Sequence, residues 1–192
     1  MCEYRNMNLV RPLVGLVTLL ISARSQGQSL CAARPNVVIA DLGLHVINVA
    51  YERNLRCWLS VQAGAGLYVP WMMNLNVFGL PSQGHTPAGD VSGGVVRLRA
   101  FFYPEGHAPA GPWVSPFVQA GVVQGTRDTT PLLGGAFAAG LGIGWAWLVR
   151  ERFLFSLGGG GQLHLARFAD STAFPGFVRF VPHVDLNVGY AF

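Results

Sequence analysis

Phe177-Val-Arg-Phe-Val-Pro-His-Val-Asp-Leu-Asn-Val-Gly-Tyr-Ala-Phe192 is the stretch that decides the fold. Every second residue back from the end is apolar: Phe192, Tyr190, Val188, Leu186, Val184. The interleaved residues Ala191, Gly189, Asn187, Asp185 and His183 are small or polar. This is the period of a β-strand with one oily and one wet face. The strand runs to the last residue and stops on a phenylalanine. That ending is expected of a transmembrane β-barrel, whose closing strand has lipid on one side and a polar interior on the other, and is not expected of a soluble protein.

Composition agrees. The 192 residues suffice for one domain rather than two. Hydrophobic residues make up 51% and charged residues 11%, against about 25% charged in a soluble domain. Past the leader, no run approaches the ~20 unbroken apolar residues that a membrane helix needs. Instead the apolar residues recur at alternate positions. The formal net charge is +4, but the arginines are dispersed, with no basic stripe, so nucleic acid is not expected as a partner. Of the three cysteines, Cys2 lies in the leader, and Cys31 and Cys57 either pair in an oxidising compartment or are bystanders. Neither has a Cys or His neighbour at metal-ligand spacing, and no cofactor is expected.

Residues 1–33 read as an export signal with a short following segment, and 34–192 as the barrel domain. Arg5 and Arg11 supply the positive n-region, and the apolar core runs from Leu13 to Ala23. Ala23, Gly27 and Ala33 are candidate cleavage sites, none of them ideal. Met7 is an alternative start. Leu30-Cys31 offers a lipoprotein reading and a retained anchor helix offers another; the large Leu30 before the cysteine argues against the first.

Turn chemistry cuts the mature chain into segments. The first, Asn36 to Tyr51, slips in phase near Leu42-Gly43-Leu44, which reads as a glycine bulge. Glu52 to Arg56 reads as a polar turn. Cys57 to Val69, Val91 to Tyr103, Trp113 to Val123, Gly134 to Val149, Phe153 to Arg167 and the closing strand all alternate. That makes seven clear strands, and single-chain bacterial barrels have even numbers. Trp71 to Gly79, with Met73, Leu75 and Val77 against Asn74 and Asn76, is the candidate eighth; a long surface loop from Pro70 to Asp90 is its rival. Tyr51, Tyr103, Trp113, Trp147 and Tyr190 fit aromatic girdles near the strand ends.

The fold expected is therefore a closed, antiparallel, up-and-down all-β barrel. A soluble sandwich also alternates, but its polar face meets water and carries Lys, Glu, Thr and Arg. Here the non-apolar face is mostly Gly, Ala, Ser and Gln, which suits a narrow interior whose walls nearly touch. The leader, the Gly-rich alternating strands and Val188-Gly-Tyr-Ala-Phe192 resemble the small outer-membrane β-barrels of Gram-negative bacteria, the OmpA/OmpX-like superfamily. More narrowly, Val49 to Arg53, Leu59 to Tyr68 and Val96 to Tyr103 resemble a subgroup of such barrels with no assigned activity. The resemblance implies export through the periplasm to the outer membrane, with Val188, Tyr190 and Phe192 as the terminal signature. It also implies outer-membrane lipid and the barrel-assembly machinery as partners. The C-terminus and the short turns would lie on the periplasmic side.

By parity, Glu52, Arg97, Arg99, Arg179, His183 and Asp185 fall on the interior face, with Gln62, Gln119, Gln162, His164 and Asn187. The bland reading is a filled plug in which lumen charges pair across the barrel. A polar channel is disfavoured because eight strands leave too little room. Ester hydrolysis needs a Ser beside a His base. Ser156 and His164 lie about 25 Å apart on one strand and cannot meet. His183 and Asp185 are same-face neighbours, but no Ser is obviously placed with them, and Ser171 stays open. His45, His85 and His107 lack ligand spacing. Gly158 to Gly161 has no strand–loop–helix context and no Lys-Ser/Thr, so it is not a phosphate loop. A structural or interaction barrel without a catalytic site is expected; a lipid-modifying hydrolase or a small-ligand transport barrel is the alternative.

Overall fold

The computed structural model describes residues 34–43, 46–68, 92–127, 130–168 and 177–192. They form eight strands: β1 (Asn36–Gly43), β2 (Val46–Arg56), β3 (Leu59–Tyr68), β4 (Ser92–Phe102), β5 (Gly111–Arg127), β6 (Thr130–Val149), β7 (Phe153–Phe168) and β8 (Phe177–Ala191). Each pairs antiparallel with its sequence neighbours, and β1 pairs with β8, so the sheet closes in the order of the chain. Among the described residues no helix is long and apolar enough to cross a membrane.

Closure carries a stagger. Partners followed from Val38 across the sheet run Tyr51, Ala63, Leu98, Val118, Ala139, Leu163, Phe180. Val38 itself pairs with Tyr190 of β8, ten residues from Phe180. Such an offset in eight strands tilts them by roughly 35–45° and leaves an interior that side chains can fill.

Each side chain's direction follows from parity. Val96, Leu98 and Phe102 are exposed while Arg97 and Arg99 between them are buried. Phe137, Leu141, Ile143, Trp145 and Trp147 stand outward on β6, and Val184, Val188 and Tyr190 on β8. Exposed charged side chains lie only near the two ends of the wall among those described: Arg53, Arg56, Glu105, Arg150, Glu151 and Arg152 at the end where β1 begins and β8 ends, the terminus end, and Arg167 at the other.

Four sequence expectations are corrected. First, the Leu42-Gly43-Leu44 slip is the boundary between two strands. Inward residues are Val37, Ile39 and Asp41 in β1 but Val46, Asn48 and Ala50 in β2, and a chain reversal with two connecting residues produces that change of phase. Second, the eighth strand comes from this division. Trp71 to Gly79 lies outside the described residues, and the barrel closes without it because β3 pairs directly with β4. Third, Glu52 to Arg56 belongs to β2; the reversal falls at Cys57-Trp58. Fourth, Tyr103 and Trp113 are buried rather than in an aromatic girdle. Trp113 shares inward parity with Ser115, and Tyr103 turns in with the β4–β5 connection.

That connection closes the terminus end of the lumen. Ala108 N–H donates to the Cys57 carbonyl (2.8 Å) and Tyr103 N–H to the Trp58 carbonyl (2.9 Å). These bonds hold Tyr103 and Ala108 against Phe101, Trp113, Ile39 and Leu154 as an apolar floor. At the far end Val46, Tyr68, Val95, Val123, Ala136 and Ala166 form a second apolar layer.

Glycine makes the floor possible on one wall. The Trp113 indole lies across Gly144 and Gly158, and a Cβ at either would overlap the ring. Its Nε1–H donates to Ser156 Oγ (3.0 Å). Gly158→Ala is therefore expected to cost about 1–3 kcal/mol through overpacking and to alter the near-ultraviolet circular dichroism of the buried indole; an unchanged spectrum and stability would contradict this packing. Leu98→Arg places a charge on the outer wall and is expected to destabilise the barrel in lipid vesicles by about 2–4 kcal/mol. A neutral result would mean that Leu98 does not face hydrocarbon.

Candidate functional site

Between the two apolar layers lies a band of polar side chains. From β1 and β2 come Asp41, Asn48 and Glu52; from β3, Ser60 and Gln62; from β4, Arg97 and Arg99; from β5, Ser115 and Gln119. From β7 and β8 come Ser156, Gln162, His164, His183, Asp185 and Asn187. All are buried. Period-two geometry puts them there, because each alternates with an outward apolar or small residue.

Asp185 is the hub. Its Oδ2 accepts from Arg99 Nη2 (2.6 Å) and its Oδ1 is bonded to His183 Nε2 (2.8 Å). Arg97 Nη1 approaches Oδ1 at 4.0 Å. Arg97 Nη1 also donates to Asp41 Oδ2 (2.6 Å), and Asn48 donates to the same oxygen (3.2 Å). Gln119 Oε1 accepts from Arg97 Nε (3.1 Å) and Nη2 (3.0 Å). Ser115 Oγ accepts from Arg99 Nε (2.5 Å). Two guanidiniums and two carboxylates thus neutralise each other in a chain that runs Asp41, Arg97, Asp185, Arg99. Aromatic faces complete their surroundings: Arg99 lies 4.5 Å from the Phe101 centroid and 5.1 Å from that of Trp113, and Arg97 lies 5.3 Å from that of Phe117.

Glu52 sits one layer nearer the terminus end. It accepts from Ser60 Oγ (2.5 Å) and Tyr103 Oη (3.3 Å). His164 is at the other end of the band, 3.5 Å from Tyr68 Oη. Arg179 stands opposite His164 in the β7–β8 register, and its side chain lies outside those described. The sequence-chosen residues are thus divided: Arg97, Arg99, His183 and Asp185 share one cluster, and Glu52 is held in a separate hydrogen-bond group.

Asp41 was missed by the sequence reading. The slip in the first segment hid its face, since Val37 and Ile39 beside it are also inward. An aspartate in an otherwise apolar barrel strand should have been signal enough, because such a charge is tolerated only toward the lumen. Ser115 falls on the inner face by the alternation of Trp113 to Val123, whereas Asn48 and Tyr68 gave no comparable signal.

Chemically, the band is organised for neutralisation. Ser60 is bonded to Glu52, Ser115 to Arg99 and Ser156 to Trp113, so these three hydroxyls are each engaged with a group other than a histidine. Ser171, His45 and His85 lie outside the described residues. Among those described, no group of three His, Cys, Asp or Glu side chains is arranged to hold a metal. Cys57 carries a free thiol; Cys31 lies outside the described residues. The space bounded by Ile39, Glu52, Phe101, Tyr103, Leu154 and Asn187 has no room for a water molecule.

No protein-family model matches the chain, and no curated protein matches it. Among solved structures, the crystal structure of the N-terminal β-barrel domain of Pseudomonas aeruginosa OprF aligns with a TM-score of 0.49 at 14% identity, over 83% of this chain and 98% of that one.

Asp185→Asn leaves Arg99 buried without its carboxylate and is expected to destabilise the fold by about 3–5 kcal/mol. The paired replacement Arg99→Met with Asp185→Leu is expected to cost less than the sum of its single changes. Urea unfolding of the reconstituted protein measures both; strict additivity would show that the two groups are not coupled.

Proposed function

We propose that this chain is an integral outer-membrane β-barrel of a Gram-negative bacterium, exported through the periplasm, and that it serves as a structural or interaction element rather than as a conduit or a catalyst. One observation carries the reading: the wall is apolar outside and ion-paired inside. In a water-soluble barrel the burden is reversed, with the apolar residues buried and the charges exposed. In hydrocarbon, a sheet is tolerated only if it closes and so satisfies its backbone groups internally.

Val188, Tyr190 and Phe192 fit the outward face of a closing strand offered to the barrel-assembly machinery, and Leu98, Leu141 and Ile143 fit contact with lipid. The packed lumen favours a non-conducting barrel, and the engaged serines favour the structural reading over hydrolysis. The surfaces presented to partners would then be the strand ends and their connections.

Heat-modifiable gel migration of vesicle-reconstituted protein, combined with planar-bilayer recording, tests this. A mobility shift on boiling and no stepwise conductance are expected. Stable monomeric solubility without detergent would overturn the membrane assignment, and discrete conductance steps would overturn the filled lumen.

A further inference from the structure

We propose that the terminus end of the barrel is a docking face for anionic phospholipid headgroups, built from arginines on one arc of the rim. The inference rests on the membrane reading and adds a ligand class to it. Arg34 precedes β1, Arg53 and Arg56 lie at the end of β2, and Arg150 and Arg152 flank the β6–β7 reversal. Around the closed sheet the β6–β7 turn, β8, β1 and β2 are consecutive, so five guanidiniums share one side.

Local structure holds them there. Arg53 stands opposite Asn36 in the β1–β2 register. The Arg152 carbonyl accepts from Ala191 N–H (2.7 Å), and its Nη1 donates to Tyr190 Oη (3.0 Å). Arg34 Nη1 donates to the Glu151 carbonyl (2.6 Å). Arg150 and Glu151 occupy left-handed backbone at φ 50° and 58°, which makes the reversal tight and keeps both flanking arginines at the rim.

The arc is under-neutralised. Its one described side-chain carboxylate, Glu151, is 3.8 Å from Arg34. Among the described residues, no carboxylate lies within ion-pairing distance of Arg53, Arg56, Arg150 or Arg152, and all four are exposed. The opposite side of the same rim, the β4–β5 turn, carries Glu105 and no arginine. The field is therefore one-sided.

The level of the arc selects a lipid rather than a soluble anion. Tyr51, Trp147, Phe153, Phe155 and Tyr190 stand exposed on the outer wall beside it. Aromatic side chains of this kind occupy the boundary between headgroups and acyl chains. An arginine at that depth lays its stem on the apolar wall and lifts its fork to the phosphates, where the planar donor set matches phosphate oxygens in pairs.

The test uses the full chain in phosphatidylcholine vesicles, with trace spin-labelled phosphatidylglycerol or phosphatidylcholine reporting the lipid held at the protein surface. Wild type is expected to prefer phosphatidylglycerol by about two- to fivefold, and added salt should reduce that ratio. Arg53→Gln, Arg56→Gln, Arg150→Gln and Arg152→Gln together should bring it close to one, while Arg167→Gln at the opposite end should leave it unchanged. No preference in wild type, a preference retained in the fourfold variant, or an equal loss in Arg167→Gln would each overturn the proposal. Should the fourfold variant fail to fold, two double variants, Arg53→Gln with Arg56→Gln and Arg150→Gln with Arg152→Gln, are read instead; each is expected to lose part of the preference, and full retention by both overturns the proposal. The gel shift on boiling is scored separately. A wild type that inserts without lipid preference defeats this inference alone, and one that does not insert defeats the membrane reading beneath it.

Discussion

A closed sheet of eight staggered strands encloses a space too narrow for water to run through and too wide to leave empty. Its own side chains must fill it, and the rest of the structure follows from how they do. Large groups project from β4 and β5: Arg97, Arg99, Phe101, Trp113 and Phe117. They need a wall without side chains, and Gly140, Gly142 and Gly144 on β6 and Gly158 on β7 supply it for Arg99, Trp113 and Phe117. The glycine content that looks like looseness in the sequence is the complement of the arginines and aromatics.

Filling the interior with charge brings a second requirement. An isolated guanidinium between two apolar layers would lose its hydration with no return. Arg97 and Arg99 are tolerable because Asp41 and Asp185 meet them at 2.6 Å, and because Gln119 accepts from Arg97 Nε and Nη2 and Ser115 from Arg99 Nε. Replacing the whole circuit with hydrophobic residues need not lower stability; breaking one member of it must. The circuit therefore specifies an arrangement more than it supplies net stabilisation.

Much of this was legible beforehand. Alternation in β3, β4, β6, β7 and β8 gave the outward and inward faces, since one face of each strand is plainly oily and the other plainly small or polar. It failed where both faces carry apolar residues. Val37, Val38, Ile39 and Leu42 give β1 no contrast, so Asp41 was missed and a chain reversal looked like a bulge. Aromatic residues deceived for a related reason. A tryptophan near a strand end suits a membrane interface, but Trp113 has inward parity and a glycine floor on β6 and β7, and that floor becomes visible only when register is known.

Register also explains why the charged circuit sits where it does. The β5–β6 ladder runs from Gly111↔Ala146 to Arg127↔Thr130, whereas the closing β1–β8 ladder runs only from Val37↔Ala191 to Gly43↔Asp185. The seam that closes the cylinder is thus a short one. Asp41 and Asp185 lie on its two sides, one on β1 and one on β8, and both reach across to arginines of β4. Two strands with limited backbone pairing to each other are tied to the same distant wall. A barrel closed by hydrogen bonds alone could slide at this seam by two residues and keep every side chain on its proper face. The ion pairs do not survive such a slide, because Asp185, moving with His183 on the same strand, would leave Arg99. What the polar band gives the molecule is a fixed register at the seam where the sheet is least able to fix it for itself.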